Sequence, residues 1–171
     1  PADLLAPLFE RASAIWNMYG PTETTIWSTC APLDASDPRI SIGGPIDNTS
    51  VYVLDPLGQP TPLGVPGELC IGGLGVSLGY KNRQTLTDAR FVPDPFRAAS
   101  ALGPGKMYKT GDVVTQRADG TLLYQRRVDH QVKVRGYRIE LGEIESVLAE
   151  HEAVDRSVVI VREDRPGDAR L

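Results

Sequence analysis

The pattern of hydrophobic and polar positions divides the chain into a short helical start, a strand-rich middle and a charged end. Leucine and alanine recur at helical spacing over residues 2–13, which predicts an amphipathic helix. Residues 13–16 (SAIW) predict a strand that runs into a turn at Gly20-Pro21. Residues 51–79 hold short apolar runs separated by glycine and proline, a pattern that excludes long helices and predicts a small β-barrel or sandwich element.

Two hairpins are predicted in the second half. The Asp119-Gly120 dipeptide between apolar runs is typical of a tight β-turn. Alternating apolar and charged residues around Gly136 predict a second hairpin with one wet face. The other predicted elements are a helix over residues 82–91, a loop over 98–106, a helix from Gly142-Glu143 with an apolar face of Ile144, Val147 and Leu148, and a strand over 157–161.

Composition narrows the class of protein. The 171 residues are 41% hydrophobic and 23% charged, as in ordinary soluble globular proteins. A net charge of -4 argues against a nucleic-acid binder, and no apolar run is long enough to span a membrane. Two cysteines form neither a disulfide framework nor a zinc site, so reduced thiols and a cytoplasmic location are expected.

Residues 108–145 concentrate tight turns, aromatic side chains and charge. We interpret this stretch as the joint between a larger body and a small terminal lobe, with a ligand site at the joint. Within it, Asp112 follows a glycine, where a carboxylate suits the two hydroxyls of a ribose. Arg126 and Arg127 offer planar donors for a phosphate or a carboxylate. Taken alone, a Thr-Gly-Asp sequence is far more often only a turn, and a pair of charged residues usually lies on a solvated face.

A second candidate lies at the sequence YGPTE. The Gly20-Pro21 turn places the Thr22 hydroxyl beside the Glu23 carboxylate; the hydroxyl can donate to a phosphate oxygen, and the carboxylate suits magnesium. Tyr19 can stack on a base. By itself the pentapeptide is more typical of an ordinary strand-to-loop turn. The glycines of residues 72–79 do not form a phosphate-binding loop, because no Lys-Ser/Thr pair follows them.

Together, and in this order, the motifs carry a resemblance. NMYGPTETTIWST, GELCIGGLGVSLGYKNRQTLTDARFV, YKTGDV and RVDHQVKVRGYRIELGEIE resemble consecutive motifs of the adenylation domains of nonribosomal peptide synthetases. These domains belong to the AMP-forming adenylate superfamily, with acyl-CoA synthetases and luciferases. The resemblance implies an α/β, strand-rich fragment: residues 1–128 would be the C-terminal portion of the large lobe, including a small β-barrel, and residues 129–171 the start of the small α+β lobe.

The resemblance also implies an activity. Such a domain uses ATP and magnesium to form an aminoacyl-AMP, then transfers the aminoacyl group to the phosphopantetheine thiol of a peptidyl carrier domain. An amino acid, a carrier domain and neighbouring domains such as condensation domains would be the partners. Two alternatives stay open: an acyl- or aryl-acid ligase that loads coenzyme A, and a non-catalytic scaffold module.

The resemblance assigns roles to individual residues. The catalytic set would be Thr22, Glu23 and Arg127. Tyr19 would stack on adenine, Thr22 would contact phosphate, Glu23 would hold magnesium, Asp112 would bind the ribose, Tyr124 would lie near the adenosine, Arg127 would contact ribose or phosphate, and Asn17 and Gly20 would complete the nucleotide site. Met18, Ile26 and Trp27 would line a pocket for a small side chain, such as that of glycine or cysteine. Asp129 would be the hinge, and Lys133 and Gly136 would belong to a hairpin that lines the pantetheine channel.

The chain departs from the family pattern at one position and lacks several family features. Adenylation domains usually have Gly-Arg where this chain has Arg126-Arg127. The phosphate loop and the aspartate that anchors the substrate amine should precede residue 1, and a catalytic lysine should follow Leu171. We therefore expect the 171 residues alone to be inactive in ATP–pyrophosphate exchange. The sequence leaves open whether the ends reflect truncation or a natural interruption.

Overall fold

The computed structural model describes residues 5–37, 39–97, 105–129, 131–165 and 167–171, without the side chain of Lys133. The chain divides between Arg126 and Arg127 into two compact units, each of which is described by itself. The sequence-based expectation places this division between residues 128 and 129.

The first unit is organised around an eight-stranded sheet. Its strands run in the order β1-β2-β3-β8-β7-β5-β4, with β6 paired to β7, and the neighbours whose register is defined are antiparallel. The strands are β1 (Trp16–Tyr19), β2 (Thr29–Pro32), β3 (Ser41–Pro45), β4 (Thr49–Leu54), β5 (Gly67–Gly73), β6 (Phe91–Pro93), β7 (Lys106–Gln116) and β8 (Leu122–Arg127). The helices are α1 (Leu5–Phe9) and α2 (Gln84–Arg90).

The core of this unit lies on both sides of β5. Leu69 and Ile71 pack with Val114 and Leu122 in one apolar cluster, while Cys70 belongs to a second cluster. Because successive side chains of a strand point to opposite faces, β5 is covered on both faces, which explains its nearly unbroken apolar sequence. Each such side chain stabilises the fold by about 1.5–3 kcal/mol through burial.

Several sequence predictions are confirmed here. The fold is mixed α/β and strand-rich, α2 lies within the helix predicted over residues 82–91, and the Asp119-Gly120 turn joins the neighbouring strands β7 and β8. The strand pairing of the described residues runs from β1 to β4 without closing into a barrel. Most of the loop predicted over residues 98–106 lies outside the described residues.

The prediction for the first residues needs correction. The helix predicted over residues 2–13 is limited to Leu5–Phe9 among the described residues, and the strand predicted over 13–16 begins only at Trp16. The ladder between β1 and β2 starts at the pair Trp16 and Pro32. Beyond this pair, the Leu33 N–H still donates to the Ile15 carbonyl at 2.8 Å, although Ile15 is not part of the strand.

The second unit holds a hairpin followed by a helix, as predicted. Strands β9 (Gln131–Val134) and β10 (Tyr137–Glu140) are antiparallel and precede α3 (Leu141–Ala149). Arg135 and Gly136 form the turn with φ values of 52° and 85°. Two consecutive left-handed residues define the type I′ turn that suits a two-residue hairpin.

The strand predicted over residues 157–161 is wrong. Short paired strands follow instead at β11 (Arg162–Glu163) and β12 (Ala169–Arg170). The Val159 N–H donates to the Glu145 carboxylate at 2.8 Å rather than to a neighbouring strand. Val158 and Ile160 are therefore 81% and 56% exposed. The predicted apolar face of α3 is only partly covered, since Val147 and Leu148 are exposed. No helix in the described parts of either unit combines the length and apolar character needed to cross a membrane.

Candidate functional site

The candidate site in the first unit begins at a bulge in β7. Glu68 pairs with Val113 and Cys70 with Lys109, so the single residue Leu69 faces the three residues 110–112 of β7. Gly111, in the middle of the bulge, has a φ of 75°. Glycine adopts this conformation without a steric penalty, and bulges of this kind redirect the side chains beside them.

Hydrogen bonds fix the bulge from both sides. The Thr110 hydroxyl donates to the Leu69 carbonyl at 2.8 Å and accepts from the Asp112 N–H at 2.9 Å. The Gly111 N–H donates to the Glu68 carboxylate at 3.1 Å. The Asp112 carboxylate is thereby held in a buried position.

Tyr19 joins the two motifs that the sequence analysis singled out. Its hydroxyl, at the end of β1, donates to the Asp112 carboxylate although the residues lie 93 positions apart. The Tyr19 ring packs against the core cluster that contains Leu69 and Val114. The structure thus brings together two residues predicted to bind the nucleoside.

The turn after Tyr19 closes tightly on itself. The Ser28 N–H donates to the Tyr19 carbonyl at 2.8 Å, and the Trp27 N–H donates to the Thr25 carbonyl at 2.9 Å, the bond of a three-residue γ-turn. Thr25 and Ile26 have φ values of 63° and 71°. This region is unfavourable for a β-branched residue, so the surrounding contacts must hold the turn.

Residues 75–77 provide part of that support. The Thr25 hydroxyl donates to the Gly75 carbonyl at 2.7 Å, and the Ser77 N–H donates to the Glu23 carbonyl at 2.9 Å. Inside the turn, the buried hydroxyls of Thr24 and Ser28 lie 2.6 Å apart. Thr22 is exposed on the surface of the turn, in the short 3₁₀ segment Thr22–Thr24.

Glu23 is buried, and its carboxylate accepts a hydrogen bond from one of two neighbouring tyrosines. The Tyr80 hydroxyl donates to Glu23 Oε1 at 2.6 Å, and the hydroxyls of Tyr80 and Tyr108 lie 3.3 Å apart. Burial, reinforced by the hydrogen bonds to Glu23 and Tyr108, raises the pKa of Tyr80. The phenol therefore stays a neutral donor to the carboxylate.

Tyr80 and Tyr108 are two residues of the site that were not predicted from the sequence. Each lies within a recognised motif, in LGYKN and in YKTGDV. Their signal was available, because a tyrosine placed between apolar or glycine-rich residues needs a hydrogen-bond partner once it is buried.

The other predicted residues of this unit have different surroundings. The Asn17 side-chain amide donates to the Ser41 carbonyl at 2.7 Å and so links β1 to β3. Met18 is half-buried opposite Cys30. Ile26 and Trp27 are 67% and 55% exposed at the turn, and Tyr124 is exposed on β8.

In the second unit, Arg127, which was predicted to contact the nucleotide, binds Asp129, which was predicted to be the hinge residue. Arg127 Nε lies 2.6 Å from Asp129 Oδ1, and Arg127 Nη2 lies 2.8 Å from Asp129 Oδ2. The side chains are only 19% and 21% exposed, which favours this two-point ion pair. Asp129 Oδ1 also accepts from the Gln131 N–H at 3.3 Å. Gly136 lies in the turn of the hairpin, and the Lys133 side chain lies outside the described part of the chain.

Within the described ranges, no three side chains of the metal-ligating types come together. Glu23 still fits magnesium, because magnesium commonly takes only one or two protein carboxylates and completes its shell with water and substrate phosphates. The buried carboxylate, fixed by a phenol, supplies a hard oxygen donor of that kind.

Comparison with known sequences identifies the class of protein. The profile described as AMP-binding enzyme matches residues 1–81. Over 173 residues the chain is 52% identical to the dimodular nonribosomal peptide synthase of Bacillus subtilis (strain 168), covering 100% of this chain and 7% of that protein. It is 51% identical over 159 residues to gramicidin S synthase 2 of Brevibacillus brevis, covering 92% of this chain and 3% of that protein. The chain thus spans a small part of these relatives.

Solved structures give the same result. A nonribosomal peptide synthetase protein containing adenylation and PCP domains matches 99% of this chain and 34% of its own, with a TM-score of 0.84 and 30% identity. A four-domain nonribosomal peptide synthetase bound to AMP and glycine matches 98% of this chain and 12% of its own, with a TM-score of 0.67 and 42% identity. The recognition made from the motifs is therefore confirmed: residues 1–81 match the AMP-binding enzyme family, and the whole chain is similar to part of nonribosomal peptide synthetases, one of which contains adenylation and PCP domains.

Proposed function

We propose that this segment is part of an amino-acid adenylation domain of nonribosomal peptide biosynthesis. The domain would use ATP and magnesium to form an aminoacyl-AMP and would transfer the aminoacyl group to the phosphopantetheine thiol of a peptidyl carrier domain. The observation that carries the proposal is the hydrogen bond from Tyr19 to Asp112, which joins the two nucleoside motifs in one unit. The similarity to synthetases with adenylation and PCP domains supports the carrier partner.

Asp112 and Tyr19 form the nucleoside end of the proposed site. A carboxylate accepts hydrogen bonds from both hydroxyls of a ribose, and Asp112 is held rigidly for this by the bulge and by the Tyr19 phenol. The aromatic ring of Tyr19 offers a stacking surface for adenine. Asn17, Gly20 and Tyr124 complete the proposed nucleotide site.

Thr22 and Glu23 form the phosphate end. The exposed Thr22 hydroxyl can donate to a phosphate oxygen, and the Glu23 carboxylate can bind the magnesium that accompanies ATP. Magnesium would supply a positive charge that offsets the charge developing on the phosphate oxygens. Arg127 is proposed to contact the ribose or a phosphate, where its fixed charge acts in the same sense.

The remaining proposals concern the substrate and the second unit. Met18, Ile26 and Trp27 would line the pocket of an amino acid with a small side chain, since a tryptophan fills volume. Asp129 would act as the hinge between the two half-reactions. Lys133 and Gly136 would lie on the hairpin that lines the pantetheine channel.

The test places these 171 residues in the adenylation domain of the Bacillus subtilis relative, in place of the matching segment, and measures amino-acid-dependent ATP–pyrophosphate exchange. Asp112→Ala should lower kcat/KM by about 10- to 100-fold, the effect of removing hydrogen bonds to a charged group. Asp119→Ala is the control, because Asp119 is an exposed carboxylate that binds Thr121 of its own turn and lies beside Arg117.

Unchanged exchange in Asp112→Ala would refute the assignment of the nucleoside site. Normal activation by both Asp112→Ala and Glu23→Ala would favour a scaffold role. Transfer to coenzyme A in preference to a carrier domain would instead indicate an acyl-CoA ligase.

A further inference from the structure

We propose that Tyr80 is a positioning residue that acts through Glu23 and sets how tightly the site holds its divalent metal ion. The inference rests on the proposed function and deepens it, because it assigns a role to a residue outside the predicted site. The Tyr80 hydroxyl donates to Glu23 Oε1 at 2.6 Å, in a region where the carboxylate is buried.

The position of the Tyr80 ring is fixed by its own segment. The Tyr80 N–H donates to the Thr87 hydroxyl of α2 at 2.9 Å, and the ring meets Phe91 edge-on with centroids 5.3 Å apart. Gly79 allows this approach, since a Cβ there would lie 2.3 Å from the Thr87 methyl group. The phenol therefore reaches Glu23 from a rigid support on α2 and β6.

A second tyrosine supports the first. The fully buried Tyr108 packs its ring against Phe91 at 5.1 Å and places its hydroxyl 3.3 Å from that of Tyr80. Held by these contacts, the Tyr80 hydroxyl fixes the position of the Glu23 carboxylate oxygen to which it donates.

A fixed carboxylate binds a metal ion more tightly than a mobile one, because its side chain loses less conformational entropy when the ion binds. Residues that orient a metal ligand typically change metal affinity by 10- to 100-fold when they are mutated. The backbone on the other side of Glu23 is also held, by the bond from the Ser77 N–H. Tyr80 supplies a contact that holds the end of the side chain.

The test compares Tyr80→Phe with Tyr52→Phe in the same chimeric adenylation domain. Tyr80→Phe removes the hydroxyl and keeps the ring. Tyr52 is a matched control, because it also donates to a carboxylate, Asp94, at 3.1 Å and packs on Phe96 at 4.8 Å. Three quantities are measured: the magnesium concentration for half-maximal exchange, the affinity for Mn²⁺ by electron paramagnetic resonance with a non-hydrolysable ATP analogue, and the thermal unfolding midpoint.

Tyr80→Phe should raise the half-maximal magnesium concentration about ten-fold and weaken Mn²⁺ binding by a similar factor, with the amino-acid KM unchanged. Tyr52→Phe should leave both metal readouts unchanged while affecting thermal unfolding to a similar extent. Tyr108→Phe, which keeps the Tyr80–Glu23 bond, should shift both metal readouts in the same direction by a smaller factor. Glu23→Gln combined with Tyr80→Phe should behave like Glu23→Gln alone, since both act through one carboxylate.

Wild-type metal dependence in Tyr80→Phe would overturn the inference, as would an equal shift in Tyr52→Phe. Failure of the proposed function is distinguishable, because the parent chimera would then show no amino-acid-dependent exchange. In that case the Mn²⁺ titration still decides the inference: equal affinity in the parent and in Tyr80→Phe overturns it.

Discussion

Replacing Gly20 by alanine should open the turn that carries Thr22 and Glu23. A Cβ at this position would lie 2.4 Å from the Ile26 carbonyl oxygen, 2.8 Å from the Ser28 nitrogen and 2.9 Å from the Trp27 Cα. All three are backbone atoms, so no side-chain rotation can relieve the contact. Ordinary contact begins at 3.4 Å, so the two sides of the turn must separate.

The change in the free energy of unfolding caused by Gly20→Ala combines two opposing effects. Overpacking of this kind destabilises the fold by about 1–3 kcal/mol. Replacing glycine by alanine also stabilises the fold by about 0.4–1 kcal/mol, because it lowers the conformational entropy of the unfolded chain. The net loss in the free energy of unfolding is therefore about 1–2 kcal/mol, which lowers the midpoint by about 2–8 °C for a chain of this length.

Trp27 gives a local readout of the same change. The chain has two tryptophans, so Trp16→Phe leaves Trp27 as the single fluorophore within the turn. Gly44→Ala is the matched control, because no atom lies within 4 Å of a Cβ at Gly44. In the 171-residue chain we expect Gly20→Ala to shift Trp27 emission and to unfold at lower temperature, and Gly44→Ala to leave the emission unchanged and to unfold at the same or a slightly higher temperature. In the chimera with the Bacillus subtilis relative, Gly20→Ala should weaken pyrophosphate exchange and Gly44→Ala should not. Equal stability, emission and exchange in the two variants would refute the packing argument.

Two further predictions concern the core and the second unit. Burial raises the pKa of Cys70 from its ordinary 9.0 to about 12, so the unfolded thiol ionises first; the associated stability is complete below pH 9 and is lost as pH rises toward 12. The free energy of unfolding, measured in urea, should fall between pH 8 and pH 10 by about 1 kcal/mol more in the parent than in Cys70→Ala. An equal fall in the two proteins would contradict this. Arg135→Asn should stabilise the second hairpin by up to about 1 kcal/mol in thermal unfolding, since asparagine tolerates the φ of 52° better. The exposed ion pair between Arg135 and Asp168 contributes little to stability, so its loss should not outweigh this gain. A net destabilisation by Arg135→Asn would show that the backbone strain at Arg135 is smaller than argued.

The sequence predicted best those elements whose signals are local. The turn at Asp119-Gly120, the helix α2 and the hairpin around Gly136 depend on a few neighbouring residues and lie where the pattern placed them. The prediction of a strand over residues 157–161 is wrong because a strand also needs a partner strand. The Val159 N–H donates to the Glu145 carboxylate instead.

The same difference between local signals and long-range contacts applies to the candidate site. Its residues were named from motifs, but the contact between Tyr19 and Asp112 depends on a bulge between distant strands, which no local pattern contains. The sequence indicates that Tyr80 needs a hydrogen-bond partner, but it does not identify Glu23, which lies 57 positions away. The ion pair of Arg127 and Asp129 was within reach of the sequence, because it joins residues only two positions apart at the bend that follows β8.

The γ-turn at Thr25 and Ile26 has a consequence for protein engineering. These residues hold φ values of 63° and 71°, and Ile26 belongs to the proposed substrate pocket. A randomised library at position 26 would change backbone strain together with pocket shape, so glycine and asparagine would be enriched for fold reasons alone. Selections for altered cargo would be cleaner at Met18, which lies within the regular strand β1.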